Sequence, residues 1–339
     1  MILLLGASGY VGQGFARGLR RKGISFIPLT RKAIDYSDFN VLFDYVRKIR
    51  PEFIINAAGF PSHPSVDNCE SAREEVLYAN ILLPQTVARV CLMTNTPWGH
   101  VSSGSIYQGA KVADHGRLRI ERDLNQPEAR RLFDEHPELI CGFTEWDEPN
   151  FSFRCPPCSF YSGSKALAEE AIREVGQAYV WRARMLFNEW NDPRNLLWKI
   201  QNYPKVYDCI NSISHLDDFV RACLELWEWQ APFGTYNVVN LGAVTTRQIV
   251  EIIQRVLKPD RRFEFWADDA EFYRCWAKEP RCNNILDTSK LLATGVKMRT
   301  VVEALEDAME QWQTEQVQEW TAILEFINAN KVVDSRAIQ

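Results

Sequence analysis

Short apolar runs and amphipathic stretches alternate along the first half of the chain. Ile2–Leu5 and Phe53–Ala57 are continuous apolar runs, as expected for strands of a sheet covered on both faces. Phe39–Ile49 places its apolar residues at helical spacing. Further strands are predicted at 24–29, 99–102, 178–182, 236–239 and 263–265, and further helices at 10–22, 74–94, 162–175, 198–202, 216–229, 246–257 and 301–327. This order predicts an α/β fold, a Rossmann-type doubly wound parallel sheet.

Two regions depart from this alternation. Residues 108–150 are rich in charge and proline and lack clean periodicity, so they are predicted to be a long insertion near the site. Beyond residue 190 the elements become shorter. The sequence therefore predicts a Rossmann domain over 1–190, a smaller α/β C-terminal substrate lobe over 191–330 that is interleaved with it, and a tail over 331–339.

Charge and hydropathy exclude several classes of function. The 339 residues carry a formal net charge of -5, which gives no basic footprint for nucleic acid. Met1 leads directly into the first strand, leaving no room for a signal peptide. No apolar run is expected to reach the roughly 18 residues that a membrane helix needs. These features predict a cytoplasmic protein that binds neither nucleic acid nor membrane.

The cysteines are predicted to be free thiols. The chain has nine of them, and in a reducing compartment they do not indicate a disulfide framework. Cys155 and Cys158 have the spacing of a metal or redox pair, but no second pair accompanies them. They are interpreted as loop thiols, and no metal site is predicted.

A glycine motif follows the first strand and opens the first helix. The spacing Gly6-x-x-Gly9-x-x-Gly12 allows a tight turn, a close approach of the backbone to a pyrophosphate, and close packing of helix on strand. The helix N-terminus adds unpaired N–H groups and positive potential. The sequence therefore predicts a dinucleotide site.

The residues after the second strand bear on the choice of dinucleotide. An acidic residue there would bind the ribose hydroxyls of NAD, whereas this chain has Arg31 followed by Lys32. An arginine fork suits a 2′-phosphate, so NADP(H) is favoured over NAD(H). Asp35 is a candidate neighbour of the adenine amine. Arg31 and Lys32 could also be ordinary solvated cations.

A tyrosine and a lysine lie one helical turn apart about 150 residues after the glycine motif. Tyr161 and Lys165 share a helix face at i and i+4. The lysine is expected to hold the nicotinamide ribose and to lower the pKa of the phenol, which then handles a proton during hydride transfer. Ser103, just after a strand, is expected to bind the substrate oxygen. These three residues are the predicted catalytic set of an oxidoreductase.

At this point the chain resembles the extended short-chain dehydrogenase/reductases. Several segments are similar to the dTDP-4-dehydrorhamnose reductase branch, and most of all to plant and giant-virus nucleotide-rhamnose synthases, which are 3,5-epimerases and 4-reductases. The wider resemblance is carried by Asn56–Gly59, Asn80 and His215–Asp218. The segments similar to the branch are Pro64–Ser71, Asp147–Phe151, Ser159–Tyr161, Asp192–Asn195 and Pro280–Asn284. The similarity spans nearly the whole chain and implies reduction, at C4, of a nucleotide-diphosphate 4-keto-6-deoxysugar.

The resemblance also implies contacts and an assembly. The implied cofactor contacts beyond Gly6, Gly9, Gly12 and Lys165 are Ser8, Tyr10, Val11, Ala57, Ala58, Gly59 and Asn80. The candidate substrate contacts are Ser105, Arg184, Arg194, Asn195, Lys199 and Arg281, with the arginines proposed for the diphosphate. A homodimer is expected, built from the helix that holds Tyr161 and the helix near 74–94.

One position departs from the branch. In the bifunctional enzymes a Cys two residues after the catalytic Ser or Thr works with a downstream Lys, and here Ser105 replaces that Cys while Lys199 matches the Lys. A hydroxyl is a poorer acid or base than a thiol near neutral pH, which puts the 3,5-epimerase half in doubt. Two alternatives stay open: a redox-neutral 4-epimerase that retains its cofactor, and a non-catalytic NADP-binding regulatory subunit.

Overall fold

The computed structural model describes residues 1–60, 65–114 and 116–312. Its strands in chain order are β1 (Ile2–Leu5), β2 (Phe26–Leu29), β3 (Phe53–Asn56), β4 (Trp98–Ser103), β5 (Ala110–Asp114), β6 (Arg117–Glu121), β7 (Ile140–Cys141), β8 (Ala178–Ala183), β9 (Ile210–Asn211), β10 (Gly234–Asn237) and β11 (Val244–Thr245). Six of them form one parallel sheet in the order β10-β8-β4-β3-β1-β2. The predicted Rossmann-type sheet is confirmed.

Helices cover both faces of this sheet. In chain order they are α1 (Tyr10–Arg21), α2 (Phe39–Ile49), α3 (Asn68–Ser71), α4 (Arg73–Leu77), α5 (Leu83–Thr94), α6 (Pro127–Glu135), α7 (Phe160–Ile172), α8 (Leu196–Asn202), α9 (Leu216–Glu228), α10 (Thr246–Val256), α11 (Asp269–Cys275), α12 (Ser289–Ala293) and α13 (Val301–Glu310). The π-helical turn Tyr78–Leu82 joins α4 to α5. The predicted helix near 74–94 is therefore a composite of three pieces.

The continuous apolar runs have a simple packing explanation. In β1, Ile2 and Leu4 join one buried cluster with side chains of α1 and α9, whereas Leu3 and Leu5 join a second cluster with side chains of α2 and α5. All four residues of β1 are completely buried. A strand covered on both faces loses the polar alternation of a half-exposed strand, which is why the sequence pattern identified β1 and β3.

Residues 108–150 are more ordered than expected. They contain α6 and an antiparallel three-stranded sheet in the order β6-β5-β7, not an irregular insertion. Ala110 and Val112 of β5 are buried, but β6 is exposed along almost its whole length, so the charged exposed positions mask the alternation. The segment docks on the C-terminal half, where the backbone N–H of Gly109 donates to the Asn283 carbonyl at 2.7 Å.

The C-terminal half gives a more mixed result. β10 pairs with β8 in the central sheet, so the chain beyond residue 190 contributes to both predicted units. The predicted strand at 263–265 is wrong, since that segment makes a single bridge between Val206 and Phe265. Helix α13 ends at Glu310 in the structure, and the predicted continuation to 327 and the tail 331–339 lie outside the described residues. The boundary near residue 190 stays a prediction.

The helical run Arg73–Thr94 is long and apolar enough to cross a membrane, judged by length and composition alone. This differs from the expectation that no stretch would reach that length. More than half of the run's most apolar window is buried inside the protein, as in a core helix. Its exposed apolar side chains are Leu77, Tyr78, Leu82, Leu92 and Met93.

A buried ion pair fastens α7 to the sheet. Arg182 of β8 donates from Nη2 to Glu169 Oε2 at 2.7 Å and from Nε to both carboxylate oxygens at 3.1 Å. The Ser102 hydroxyl of β4 donates to Glu169 Oε1 at 2.5 Å, and Arg182 Nη1 donates to the Tyr107 hydroxyl at 3.0 Å. The two charged side chains are only 5% and 10% exposed. The pair thus joins α7 to two adjacent strands.

We expect Arg182→Met to lower the free energy of unfolding by about 3–5 kcal/mol, because it leaves the Glu169 carboxylate buried without its counter-charge. The double variant Arg182→Met/Glu169→Met should recover a large part of that loss. Arg154→Met, which removes the exposed partner of Glu170, is the matched control and should cost about 1 kcal/mol or less. Urea unfolding measures all three, and a double variant at least as unstable as Arg182→Met would contradict the coupling.

Candidate active site

Strand β4 and helix α7 bring the predicted catalytic residues together. Ser103 is the last residue of β4, and Tyr161 is the second residue of α7. The helix starts here because the Ser159 side chain accepts a hydrogen bond from the Ser162 N–H at 3.2 Å. The Glu70 carboxylate also accepts one from the Phe160 N–H at 2.7 Å. These two caps fix the turn that carries Tyr161.

The side chain of Tyr161 is partly buried. Burial raises the pKa of Tyr161 to about 12, and hydrogen bonding by Ser103 offsets part of that rise. Arg184 lowers the pKa of the phenol further, whereas the neighbouring thiols Cys69 and Cys282 raise it. The expectation that the pKa of this phenol is lowered is wrong, because burial is the largest influence on it, and Arg184 is the cation that opposes the rise. At neutral pH Tyr161 therefore carries its proton.

Lys165 lies one turn further along α7, where it is 7% exposed. Its Nζ donates to the Val101 carbonyl at 3.4 Å. Burial lowers the pKa of Lys165 to about 8, and the negative charge of Glu169 opposes that shift. A side chain at Gly59 would place its Cβ 3.6 Å from Lys165 Nζ, so the loop after β3 passes close to the ammonium. The predicted Ala57–Gly59 contacts thus lie beside the predicted catalytic lysine.

Asn80 connects that loop to α7. Its Oδ1 accepts from the Phe60 N–H at 2.9 Å, and its Nδ2 donates to the Ser164 hydroxyl at 3.0 Å. Because Asn80 is buried and both ends of its amide are engaged, it holds the loop against the catalytic helix. These two hydrogen bonds explain why position 80 has an amide side chain, and the predicted contact of Asn80 with the cofactor stays a prediction.

The glycine motif fits a pyrophosphate. Gly6 has φ +74°, and a Cβ there would lie 2.6 Å from the Ala58 backbone nitrogen. A Cβ on Gly12 would lie 2.1 Å from the Gly6 carbonyl oxygen, so only glycine lets α1 start this close to β1. Gly9 precedes α1 and offers no side chain to cap it, so the N–H groups of Ser8, Tyr10 and Val11 lie at the helix start predicted to bind a pyrophosphate.

The residues after β2 are at the surface. Arg31 is exposed at the carboxyl end of β2. Asp35, predicted to lie near the adenine, accepts hydrogen bonds from the backbone N–H and the hydroxyl of Ser37, which is the pattern of a turn. Arg31 is therefore exposed to solvent, whereas Asp35 is engaged within its own loop.

Ser105 and Arg184 belong to the catalytic cluster. The Ser103 hydroxyl donates to the Ser105 hydroxyl at 3.0 Å, and Arg184 Nη1 approaches the same oxygen at 3.5 Å. Arg184 Nη2 donates to Asn211 Oδ1 at 2.6 Å and to the Cys282 carbonyl at 2.5 Å. Arg184 is 5% exposed, so its positive charge acts on the buried hydroxyls. Its predicted role at a diphosphate is hard to reconcile with this burial.

Two other predicted substrate residues, Arg281 and Asn195, form hydrogen bonds to different parts of the protein. Arg281 donates to both carboxylate oxygens of Asp67 at 2.8 and 2.7 Å. Asn195 is completely buried, caps α8 and donates to the carbonyls of Asn188 and Trp190 at 2.7 Å, so its amide holds a loop. Arg281 and Asn195 are thus engaged with protein groups.

Arg194 and Lys199 share a neighbour. Arg194 forms a bidentate ion pair with Asp192, and Lys199 is close enough to Asp192 for that carboxylate to raise its pKa. Burial is the larger influence on Lys199 and lowers the pKa of its ammonium. Neither cation makes a described contact with Ser105.

Sequence reasoning missed the thiols beside Tyr161. The sequence drew attention to Cys155 and Cys158, but the thiols that influence the phenol are Cys69 and Cys282. Both lie in segments that carried the family resemblance, Pro64–Ser71 and Pro280–Asn284. Their position in these segments is the feature of the sequence that could have identified the two thiols.

The sequence of this chain is similar to those of enzymes that act on nucleotide sugars. The family described as the RmlD substrate binding domain matches residues 1–131. A trifunctional UDP-glucose 4,6-dehydratase/UDP-4-keto-6-deoxy-D-glucose 3,5-epimerase/UDP-4-keto-L-rhamnose-reductase from Arabidopsis thaliana is 29% identical over 89% of this chain. The chain spans 41% of that relative's length. A bifunctional dTDP-4-dehydrorhamnose 3,5-epimerase/dTDP-4-dehydrorhamnose reductase from the same plant is 27% identical over 89% of this chain and 90% of its own.

The chain is thus similar over most of its length to enzymes that include a dTDP-4-dehydrorhamnose reductase activity. A solved structure, the UDP-rhamnose synthase from Acanthamoeba polyphaga mimivirus, superimposes with a TM-score of 0.76 at 21% identity, covering 91% of this chain and 98% of that one. A dTDP-4-dehydrorhamnose reductase from Clostridium acetobutylicum gives a TM-score of 0.71 at 18% identity, covering 91% and 98%. These similarities confirm the resemblance and the fold that the sequence predicted.

We expect the affinity for NADPH to be constant below about pH 8 and to fall above it. The reason is that the depressed pKa of Lys165 releases the ammonium proton there, which removes a positive donor from the site. Titration of nicotinamide fluorescence between pH 7 and 9.5 measures this. The Lys165→Met variant should bind more weakly and show a flat profile. An unchanged fall above pH 8 in that variant would assign the titration to another group.

Proposed function

We propose that the protein reduces the C4 ketone of a nucleotide-diphosphate 4-keto-6-deoxysugar with NADPH. The observation that carries this proposal is the cluster of the buried Ser103 and Lys165 with the partly buried Tyr161, in which a protonated phenol lies beside a hydroxyl and close to the loop of Gly59. Reductases of UDP- and dTDP-4-keto sugars among the relatives support the substrate class. A cytoplasmic location is part of the same proposal.

The chemistry assigns one task to each residue. A reduced nicotinamide, when bound, supplies a hydride to C4 of the sugar. Tyr161 gives its proton to the C4 oxygen, so the carbonyl becomes a hydroxyl and the phenol becomes a phenolate. Ser103 donates a hydrogen bond to the same oxygen and positions it. Lys165 binds the nicotinamide ribose, and its positive charge, with that of Arg184, stabilises the phenolate until solvent returns a proton.

The site suits proton donation better than proton abstraction. A phenol with a pKa of about 12 is almost fully protonated at neutral pH, which is the form a ketone reduction requires. As the negative charge develops on the phenol, the arginine fork of Arg184 lies nearby in a buried setting. Burial therefore keeps the phenol protonated. The neighbouring cations stabilise the negative charge of the phenolate only after the proton has left.

We also propose that residue 105 no longer supports 3,5-epimerisation. Its hydroxyl already accepts from Ser103 and lies at 3.5 Å from Arg184, and a hydroxyl does not ionise near neutral pH as a thiol does. Lys199, the matching partner, neighbours Asp192 instead. The substrate would then arrive with its C3 and C5 configuration already set.

We propose NADPH over NADH because Arg31 is exposed where the adenosine ribose is expected and Asp35 is engaged with Ser37. A positive fork at that point favours a 2′-phosphate.

The activity assay follows NADPH absorbance while the purified chain is mixed with UDP- or dTDP-4-keto-6-deoxyglucose, or with their 3,5-epimers, in D2O. We expect stoichiometric NADPH loss with a 3,5-epimer, slower loss with NADH, and no deuterium at C3 or C5 by NMR. Tyr161→Phe should lower kcat by roughly 10²–10⁴-fold and leave the Kd of NADPH nearly unchanged.

Two outcomes would contradict the proposal. Loss of NADPH binding together with activity in Tyr161→Phe would make the tyrosine structural. No NADPH loss with any of the sugars, but interconversion of C4 epimers by enzyme with retained cofactor, would establish the redox-neutral 4-epimerase instead. Deuterium at C3 and C5 would overturn only the statement about Ser105.

We further propose a homodimer built from the helical run Arg73–Thr94 and helix α7. The apolar side chains Leu77, Tyr78, Leu82, Leu92 and Met93 are exposed on that run, and Leu167 is exposed on α7. The two elements pack against each other within the chain, so their exposed sides can form one apolar surface. Light scattering at micromolar concentration should give twice the chain mass, Leu82→Glu should give the monomer, and a monomeric wild type would contradict the proposal.

A further inference from the structure

Arg194 lies at the glycine motif and not beside the catalytic cluster. Its guanidinium carbon is 5.3 Å from the centre of the Tyr10 ring, within the range of a cation–π contact. Tyr10 is the first residue of α1 and directly follows Gly9. The arginine from the loop after β8 therefore reaches across to the start of the helix that is expected to bind the cofactor.

The guanidinium is held in a fixed orientation. Nε donates to Asp192 Oδ1 at 2.9 Å and Nη2 donates to Asp192 Oδ2 at 2.6 Å. The Arg194 backbone N–H donates to the same Oδ1 at 2.8 Å. Within the described residues Nη1 makes no hydrogen bond, and the side chain is about one third exposed. One edge of the fork is thus anchored and the other is available to a ligand.

Two buried polar atoms, one beside Arg194 and one in its loop, also lack partners. The Tyr10 hydroxyl and the Trp190 indole N–H have no hydrogen bond within the described part of the chain. Tyr10 is 8% exposed, and a buried polar group without a partner is costly. Trp190 belongs to the same loop as Arg194, and its ring lies 5.7 Å from the guanidinium carbon of Arg17 in α1. The Tyr10 hydroxyl, at the start of α1 and beside Arg194, is therefore a donor that a bound anion could satisfy.

The local charges favour an anion there. Helix α1 has twelve residues, and its N-terminus has no side-chain cap, so its first N–H groups and its dipole attract a negative group. A helix N-terminus stabilises an anion only modestly, whereas a fixed arginine adds a full charge and two donors. Asp192 neutralises part of that charge, but it also holds the guanidinium in place.

We propose that Arg194 binds the pyrophosphate of the nicotinamide cofactor, so that the loop 188–195 closes over the glycine motif. This replaces its predicted role at the substrate diphosphate. The proposal depends on the nicotinamide cofactor of the proposed function but not on the identity of the sugar. It gives the substrate lobe a direct contact with the cofactor, which the glycine motif alone would not supply.

The test compares ligand binding by the full-length protein without any sugar nucleotide. Arg194→Met removes the charge and keeps the length of the side chain, while Arg281→Met removes the equally bidentate partner of Asp67 and is the matched control. We expect Arg194→Met to raise the Kd of NADPH about tenfold or more, as for loss of a charge-assisted hydrogen bond. Arg281→Met should leave that Kd within about twofold of the wild type.

Adenosine 2′-monophosphate, which lacks the pyrophosphate, separates this effect from misfolding. It should bind Arg194→Met and the wild type equally, and the unfolding temperatures should agree within a few degrees. Arg194→Lys keeps the charge without the fork and should have an intermediate Kd for NADPH.

Three outcomes would overturn the proposal. These are an unchanged Kd of NADPH in Arg194→Met, an equal weakening of NADPH and adenosine 2′-monophosphate, and a weakening confined to the nucleotide sugar. If NADPH binds as expected but no 4-keto sugar is reduced, the proposed function fails while the assignment of Arg194 stands. If the wild-type protein does not bind NADPH, both the proposed function and the assignment of Arg194 are wrong.

Discussion

The buried carboxylate of Glu169 is the charge on which the catalytic face depends. It lies one turn beyond Lys165 on α7, and burial at that depth requires a counter-charge and donors. Arg182 and Ser102 supply them from two adjacent strands. Since Ser103 follows Ser102 directly and Tyr161 precedes Lys165 by one turn, the same ion pair sets the distance between the hydroxyl and the phenol. The ion pair between Glu169 and Arg182 therefore positions the predicted catalytic residues without being one of them.

Burial then decides how the reactive groups titrate. It raises the pKa of the phenol to about 12 and lowers the pKa of the ammonium to about 8, so two groups of similar acidity in water move apart. A donor that keeps its proton and a cation that can lose its own make a site suited to reduction near neutrality. Ser103 and Arg184 offset part of the effect of burial on the phenol, and Glu169 offsets part of its effect on the ammonium.

Much of the fold and part of the site could be predicted from sequence, for a physical reason. The strands β1 and β3 are buried on both faces and so leave a continuous apolar signal, and the glycine motif is a local steric requirement. The Tyr161 and Lys165 pair is also local, because four residues make one helical turn. The sheet of β5, β6 and β7 was missed because its outer strand is exposed and charged.

The partners of the cations could not be predicted, because each comes from elsewhere in the chain or from an unforeseen loop geometry. Arg281 meets Asp67, which is 214 residues away, and Arg194 meets Asp192 in a loop that folds towards Tyr10. A sequence shows that a guanidinium exists but not which carboxylate it pairs with. For the same reason the thiols next to Tyr161 were not the ones nearest in sequence.

Asn284 has a consequence for how the protein folds. Its Nδ2 donates to the carbonyls of Gly104 and Tyr107, which are 180 and 177 residues earlier in the chain. The turn that carries Ser105 is therefore completed only after nearly the whole polypeptide has been synthesised. Contacts of such long sequence separation slow folding, because the entropy of closing the loop is lost before the contact is gained. A nascent chain that ends before residue 284 would have the glycine motif and the catalytic helix but an unfinished active-site turn.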